Sequence, residues 1–311
     1  MVDPKISVIT PVYNGADYIQ ETIESVLNAT TRIPFEYIVV NDGSTDSTLQ
    51  ILSKYSKKAK ILSFENQGES ASVNEGLKAA KGEYVLVVSA DDPILDGSLF
   101  DKASSILDLN PGIVVVYPDW QVINETGEIK RKIVVDEFSL ETLVGRNKTL
   151  PGPGALFRRK SALAIGGRRT KWKFVGDYDF WLRLSALGSF KRIPMNLAQW
   201  REHSSSTSVS QKNLHMANER IQVIEEFLAC SELPERIRKM AQSNAYYLAA
   251  RLSYFDKQIN GRQLFLQGIK KSGRFPSVGH PAIFLYLITL PLSRYVARLL
   301  PKSLAEKTLR P

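Results

Sequence analysis

At 311 residues, 43% hydrophobic and 23% charged, the chain has room for one large or two modest folded domains, and this composition excludes a disordered or fibrous protein. A single cysteine, Cys230, excludes an intrachain disulfide and points to a reducing compartment. The net charge of +9 sits in one place: residues 257–311 hold ten Lys and Arg against one acid, Glu306, while residues 1–256 balance at 31 of each sign, so charge suggests an anionic surface as the partner of the tail alone. The opening MVDPKISVITPVYN lacks a signal-peptide core, which predicts a cytoplasmic protein and makes the N-x-T triplets at Asn28, Asn124 and Asn147 chance matches.

KISVITP (5–11) and FEYIVVND (35–42) are β-branched runs ending in polar turns and read as buried strands. Between them Ile19, Thr22, Ile23, Val26 and Leu27 recur at helical spacing. Leu49, Leu52 and Tyr55 predict a second helix, entered through Ser44 or Thr45 as a cap. KILSF (60–64) is a third strand, and a helix carrying Ala71, Asn74 and Leu77 follows it. YVLVVS (84–89) and GIVVVYPDW (112–120) are the fourth and fifth strands. IKRKIVVDEF reads as a strand or hairpin, and LPGPGALFRR (150–159) as a Gly/Pro turn into a short strand. GDYDFWLRLSALG (176–188) reads as a helix with Asp177, Phe180, Trp181 and Leu184 on one face. From about Gln211 the pattern is helical, through Ile221, Ile224, Phe227 and Leu228 to Met240, Ala241, Leu248 and Leu252. The apolar run 282–292 has 11 residues, short of the roughly 20 that span a bilayer. Beyond it Leu292, Tyr295, Val296, Leu299 and Leu300 share a face, with Arg294 and Arg298 off it. Two readings stand: a basic helix lying on an anionic membrane surface, or a helix docked on the body of the protein.

Strand–helix alternation predicts a mainly parallel sheet covered on both faces, with ligands bound outside the carboxyl ends of its strands. That rule gathers Pro11-Val12-Tyr13-Asn14, Asn41-Asp42-Gly43-Ser44 and Ser89-Ala90-Asp91-Asp92 on one edge. Two adjacent carboxylates repel, so Asp91 and Asp92 call for relief: a solvated turn in which one of them caps the next helix, or a divalent cation. The first turn has neither G-x-G-x-x-G nor G-x-x-x-x-G-K, which argues against dinucleotide enzymes and P-loop NTPases. A nucleotide diphosphate here lacks a glycine cradle. A metal on Asp91 and Asp92 would neutralise it, and carboxylate and phosphate oxygens suit Mg²⁺ or Mn²⁺.

Together SVITPVYNG, VVNDGSTD, NQGESASVNEGLKAAKGEYVLVVSADD and GDYDFWLRL resemble, in this order, the family 2 glycosyltransferases, over about residues 5–205. The resemblance implies a GT-A, Rossmann-like α/β fold with a mainly parallel sheet flanked by helices in residues 1–205. A helical extension over 206–280 and a basic amphipathic tail over 281–311 would follow. It also implies transfer of a sugar from a nucleotide-diphosphate donor, typically UDP, with inversion, to a glycan or lipid-linked acceptor in polysaccharide or glycoconjugate synthesis. Carried across, Pro11, Tyr13 and Asn14 shape the donor-nucleotide pocket, and Asp42 bonds the base, its bland role being an Asx-turn or helix cap. Asn66, Gly68 and Asn74 also line the nucleotide. Asp91 and Asp92 contact metal, ribose and diphosphate, with Asp92 the first choice for direct metal contact.

Asp177 matches the base that takes the acceptor hydroxyl's proton; its bland role is an N-cap, and Asp179 ranks second. Trp181 reads as core and Arg183 completes the W-x-R. Arg201 and His203 resemble a late R-x-H element that reaches the diphosphate or the metal. No role is assigned to Trp120, Trp172 or Trp200.

Three positions depart from the family pattern: Ser89 for an additional Asp, Val73 for a frequent Arg, and Gly176 for a Glu. Rival readings are a sugar nucleotidyltransferase, which wants a Gly-rich, Arg-containing first turn, and a catalytically inactive nucleotide-sugar-binding or scaffold protein. Nucleic acid is not expected as a partner, because the basic tail has no recognised motif and few interleaved aromatics. The resemblance and the basic tail together imply a metal-dependent hexosyl- or N-acetylhexosaminyl-type transferase, cytoplasmic and peripheral on the inner face of the cytoplasmic membrane.

Overall fold

The structure, a computed structural model, describes residues 3–204, 214–252 and 258–277. Its contacts divide the chain into two compact units, Met1–Phe138 with Thr149–Ser206 and Ser139–Lys148 with Thr207–Pro311.

The first unit carries eight strands: β1 (Ile6–Val12), β2 (Phe35–Asp42), β3 (Lys60–Phe64), β4 (Tyr84–Val87), β5 (Ile113–Ile123), β6 (Ile129–Ile133), β7 (Leu156–Arg158) and β8 (Ser189–Arg201). Six helices accompany them: α1 (Ile19–Leu27), α2 (Thr48–Ser53), α3 (Glu69–Ala79), α4 (Ser98–Leu109), α5 (Arg159–Ala164) and α6 (Gly176–Ser185). The sheet order is β3-β2-β1-β4-β7-β5-β6, with β8 pairing β5. β3, β2, β1 and β4 run parallel, and β8 runs parallel along β5. The short β7 is antiparallel to both β4 and β5, so it reverses direction twice and leaves β5 and β8 pointing the same way as β4.

Every residue of β1 is buried, as a strand covered on both faces requires. On one face Ile6, Val8 and Val12 pack with Ile19, Ile23 and Val26 of α1, Leu52 of α2, and Leu99, Phe100, Ala103 and Leu107 of α4. On the other, Ile9 meets Gly76 of α3 so closely that a Cβ there would lie 2.4 Å from its methyl. Phe157 turns to that face as well and packs edge-on against Phe180 and Trp181 of α6. Trp181 is therefore core. The amphipathic reading of α6 was too narrow, since Tyr178, Asp179 and Leu182 are buried beside Phe180, Trp181 and Leu184.

The strand expectations hold for β1 to β5 within a residue or three. β8, by contrast, was not anticipated. It contains Pro194, a residue confined to sheet edges, and Lys191, Arg192 and Asn196 interrupt its apolar run. An ion pair pins it to β5: Arg192 donates from Nε and Nη2 to the two carboxylate oxygens of Asp119 at 2.8 and 2.6 Å. The expected capping also moves. Neither Ser44 nor Thr45 caps α2; Asp46 accepts from the Thr48 N–H there at 3.0 Å.

The second unit contains α7 (Leu214–Ala229), α8 (Glu235–Arg251), α9 (Gly261–Ser272) and a π-helical turn, Glu141–Gly145. Asn147 Nδ2 donates to the Ala241 carbonyl at 3.1 Å and Asn244 Nδ2 to the Gly145 carbonyl at 2.7 Å, which fastens the turn to α8. Asn260 caps α9 by accepting from the Gln263 N–H, and Gly273 closes it in the left-handed region. Among the described residues no helix is long and apolar enough to cross a membrane. The expected basic tail, 281–311, lies outside them.

Candidate active site

The carboxyl ends of β1, β2, β4 and β8 bring the candidate residues to one edge. The turns after β1 and β2 are stitched together. Asn14, at φ 50°, accepts at Oδ1 from the Thr45 N–H at 2.8 Å, and its own N–H donates to Ser44 Oγ at 3.0 Å. Gly15 N–H and Ala16 N–H donate to Thr48 Oγ1 and Asp46 Oδ2. The residues expected to cap α2 thus shape the first turn instead, and Tyr13 is left half exposed beside it.

Asp42, buried at the end of β2, accepts from the Gln67 N–H at Oδ1 and from the Gly68 N–H at Oδ2, both at 2.9 Å. It is neither an Asx-turn nor a cap of its own helix: it holds the loop that opens α3. Each carboxylate oxygen keeps a second lone pair for a ligand. Gly43 makes the close approach possible, since at φ +73° a Cβ would lie 2.7 Å from the Asn66 backbone nitrogen. Asn66 is exposed on this loop. Asn74 is not brought to it: its amide clamps the Arg168 backbone, donating to the carbonyl and accepting from the N–H, each at 2.8 Å. Val73 is fully buried, so that position sends nothing toward the edge.

The start of α3 abuts the start of α6. A Cβ on Gly176 would lie 2.9 Å from Ser70 Oγ, so the side chain absent at 176 is what lets the two helix ends close up. Next to it Asp177 is exposed, while Asp179 is buried and paired with Arg183 at 2.7 Å. The cap position belongs to Val175, not Asp177. Arg183 also donates to the Ile165 and Gly167 carbonyls, a bracing role.

The fourth turn answers the question of the two carboxylates. Neither caps a helix; the cap position of α4 belongs to Gly97, and Asp96 before it accepts from the Ser98 N–H at 2.8 Å. Asp92 points inward, 8% exposed, and accepts at Oδ1 from the Arg201 N–H at 2.7 Å. Burial, and next the Asp91 carboxylate, push its carboxyl well above the usual range, against the hydrogen bonds from Arg201 N–H and Ser89. Asp91 points outward and its Oδ2 lies 2.8 Å from His203 Nε2. The exposed oxygen is therefore on Asp91, the reverse of the expected preference for Asp92.

Arg201, 1% exposed, organises the corner. Its Nε donates to the Asp91 carbonyl, Nη1 to the Asn124 and Glu125 carbonyls, and Nη2 to Glu21 Oε2 at 2.6 Å. Its guanidinium lies 4.9 Å over the Tyr18 ring, which in turn packs on the His203 ring. Arg201 is thus a scaffold for Asp91 and His203 rather than an open hand to a ligand.

Asp91 and His203 offer one oxygen and one nitrogen to a cation. Among the described residues no three His, Cys, Asp or Glu gather to hold a metal, so an ion seated on this pair would complete its shell from diphosphate and water. Glu21, Tyr18 and Arg168 were missed by the sequence reading. Arg168, 9% exposed, donates from Nη1 to Glu69 Oε1 at 2.6 Å, while its buried Nε has no hydrogen-bond partner. The indole N–H of buried Trp172 lacks one too.

The family model of glycosyl transferase family 2 matches residues 7–165. The chain belongs to that family. An uncharacterized glycosyltransferase of Rickettsia typhi is 32% identical over 216 residues, 66% of either chain. The hyaluronan synthase of Pasteurella multocida is 28% identical over 219 residues, 69% of this chain and 22% of that one. Among solved structures, S. aureus TarS 1-349 in complex with UDP-GlcNAc superposes with a TM-score of 0.67 at 21% identity, covering 86% of this chain and 80% of that one. The mannosyltransferase PcManGT from Pyrobaculum calidifontis, in complex with GDP-Man and Mn²⁺, gives 0.58 at 16% identity over 95% and 82%. The fold of this family 2 member is GT-A: a mostly parallel sheet flanked by helices.

Proposed function

We propose that the first unit transfers a hexosyl or N-acetylhexosaminyl group from a UDP-sugar to a glycan or lipid-linked acceptor, with inversion. The observation that carries the proposal is the corner where Asp91 and His203 lie 2.8 Å apart, on the same sheet edge as Asp42 and the exposed Asp177. The UDP and UDP-GlcNAc complexes of TarS and the names of the hyaluronan and chondroitin synthase relatives support donor and product class.

In this reading the 13–16 turn and the Asp42–Asn66–Gly68 loop receive the nucleoside. Asp177, as carboxylate, takes the proton of the acceptor hydroxyl while that oxygen forms its bond to the anomeric carbon. The bond to the diphosphate breaks on the opposite face, which inverts the centre. Asp91 and His203 would hold a divalent metal, and the imidazole nitrogen favours Mn²⁺ over Mg²⁺. When bound, such an ion supplies charge stabilisation to the leaving diphosphate. Arg201 and Tyr18 keep the two ligands in place.

Calorimetric titration of UDP, GDP, CDP and dTDP, each with Mn²⁺ and again with EDTA, tests the donor site. Selective UDP binding that collapses in EDTA is expected. Binding of none of the four would remove the proposal and leave a scaffold role. A cytoplasmic, peripheral location is part of the same proposal, through residues 281–311. Co-sedimentation with anionic liposomes should drop when those residues are deleted and as salt rises; equal pelleting would remove the membrane from the account.

A further inference from the structure

Residues 158–173 hold seven Lys and Arg and no acid. They divide by place. Arg158, at the end of β7, faces Tyr84 and the Leu107, Asn110 and Ile113 carbonyls, away from the ligand edge. Arg168, Arg169, Lys171 and Lys173 lie in the segment between α5 and α6, which runs directly into Gly176 and Asp177. Arg168 anchors that segment to the first residue of α3 through Glu69. Trp172 lies under the start of α6, its Cβ 3.9 Å from where a Gly176 Cβ would be. Lys171 sits 4.4 Å over the Trp172 ring and is exposed, as is Lys173.

Two features of the segment concern a ligand and not the fold. Buried Arg168 Nε and Trp172 Nε1 are both N–H donors without an acceptor, one on each side of the 169–171 turn. Buried donors in native proteins are nearly always matched, and an oxyanion is the strongest acceptor available to them. Arg168 and Arg169 are ion-paired with Glu69 and Asp179, and Lys171 and Lys173 add two exposed cations on the same short segment, a few residues before Asp177.

We infer that the acceptor is anionic: the 168–173 segment binds a phosphodiester or carboxylate group carried next to the hydroxyl that is glycosylated. This rests on the donor-transfer reading of Asp177 and its edge, and it names the substrate class that this edge selects. The segment is tied to the starts of α3 and α6, whereas Asp91 and His203 are tied to Glu21, Tyr18 and Arg201, so the lysines can be changed without touching the groups that would face the donor diphosphate.

The test compares three hexameric probes on the full chain: a glycerol-phosphate oligomer, a uronate-containing hyaluronan oligomer and neutral chitohexaose. Binding is followed by fluorescence anisotropy at rising salt. One or both anionic probes should bind, weaken as salt rises, and bind about tenfold less tightly to the Lys171→Gln/Lys173→Gln variant. Which of the two binds identifies the anion as phosphodiester or carboxylate. UDP titration in Mn²⁺ is the companion measurement and should be unchanged in that variant. Arg168→Gln should lower anionic-probe binding further; the lysine double variant, altered only at exposed positions, reports independently if Arg168→Gln fails to fold. Equal binding of the neutral probe, or loss of UDP binding with anionic-probe binding intact, overturns the inference. Failure of UDP to bind the unaltered chain strikes the donor reading instead, and is seen separately.

Discussion

The turn that follows β2 and the turn that follows β4 each present a buried aspartate at the same sheet edge, but they are built in opposite ways. Asp42 is satisfied by two backbone N–H groups from Gln67 and Gly68, 25 and 26 residues away on the loop that follows the next strand. Asp91 and Asp92 depend on Arg201 and His203, contributed more than 100 residues later by an edge strand and the chain just beyond it. The first turn is a local assembly of backbone atoms. The second is a long-range assembly of side chains, and only it brings an outward carboxylate to an imidazole. The contrast divides the edge into a part fixed by backbone N–H groups and a part fixed by side chains from distant sequence.

That division can be broken experimentally. The largest effect is expected outside both turns. Asp177→Asn should lower kcat by about 10²–10⁴-fold, the range of a lost general base, while UDP affinity stays within about twofold; an equal fall in binding would put Asp177 in the nucleotide pocket. Arg201→Met leaves the Asp91, Asn124 and Glu125 carbonyls without their donor and should lower unfolding free energy by about 3 kcal/mol in urea, with the denaturant slope unchanged. Asp91→Asn or His203→Ala should weaken UDP binding about 100-fold in Mn²⁺ and have no effect in EDTA. Asp42→Asn, in contrast, should weaken it equally in both, with a loss of about 1–2 kcal/mol of stability from the N–H left facing an amide nitrogen. A metal-dependent deficit in the Asp42 variant would erase the distinction between the turns.

The smallest effect concerns what holds β8. Burial works against ionisation of Asp119, yet Arg192 and the Val135 N–H outweigh it and hold the carboxyl below its usual range. A carboxyl depressed by folding stabilises above its unfolded pKa and loses that contribution as pH falls through its folded one. Stability should therefore decline below about pH 4 in the unaltered chain, and Asp119→Asn should flatten that limb in an acid titration of the urea midpoint.

These contrasts also explain what could be read from the chain. β1 to β4 and their helices were legible because buried parallel strands are continuous apolar runs and their helices keep a regular period. The place of Asp42 at the end of β2 was legible in the same way, but its partners Gln67 and Gly68, 25 and 26 residues on, were not. β8 was not, because Pro194 and its charged neighbours look like a loop until Asp119 is seen opposite Arg192. Which of Asp91 and Asp92 faces inward was not legible, because it depends on Arg201, and Arg201 in turn on Glu21, 180 residues away. Arg168 was invisible as a site residue: its partner, Glu69, is 99 positions earlier, and no local pattern links them.

The distance along the chain between Asp91 and His203 has a consequence for synthesis. A ribosome adding about 5–20 residues per second makes the second of these groups roughly 5–20 s after the first. Through that interval the strands β1 to β4 can pair and the Asp42–Gly68 loop can close, but Asp91 and Asp92 stand side by side without Arg201. Until β8 and the residues after it are made, the two carboxylates lack the Arg201 N–H and the His203 ring that meet them in the finished fold. The Asp91–His203 corner is therefore completed after β1 to β4 and before the helices α7 to α9 of the second unit are made.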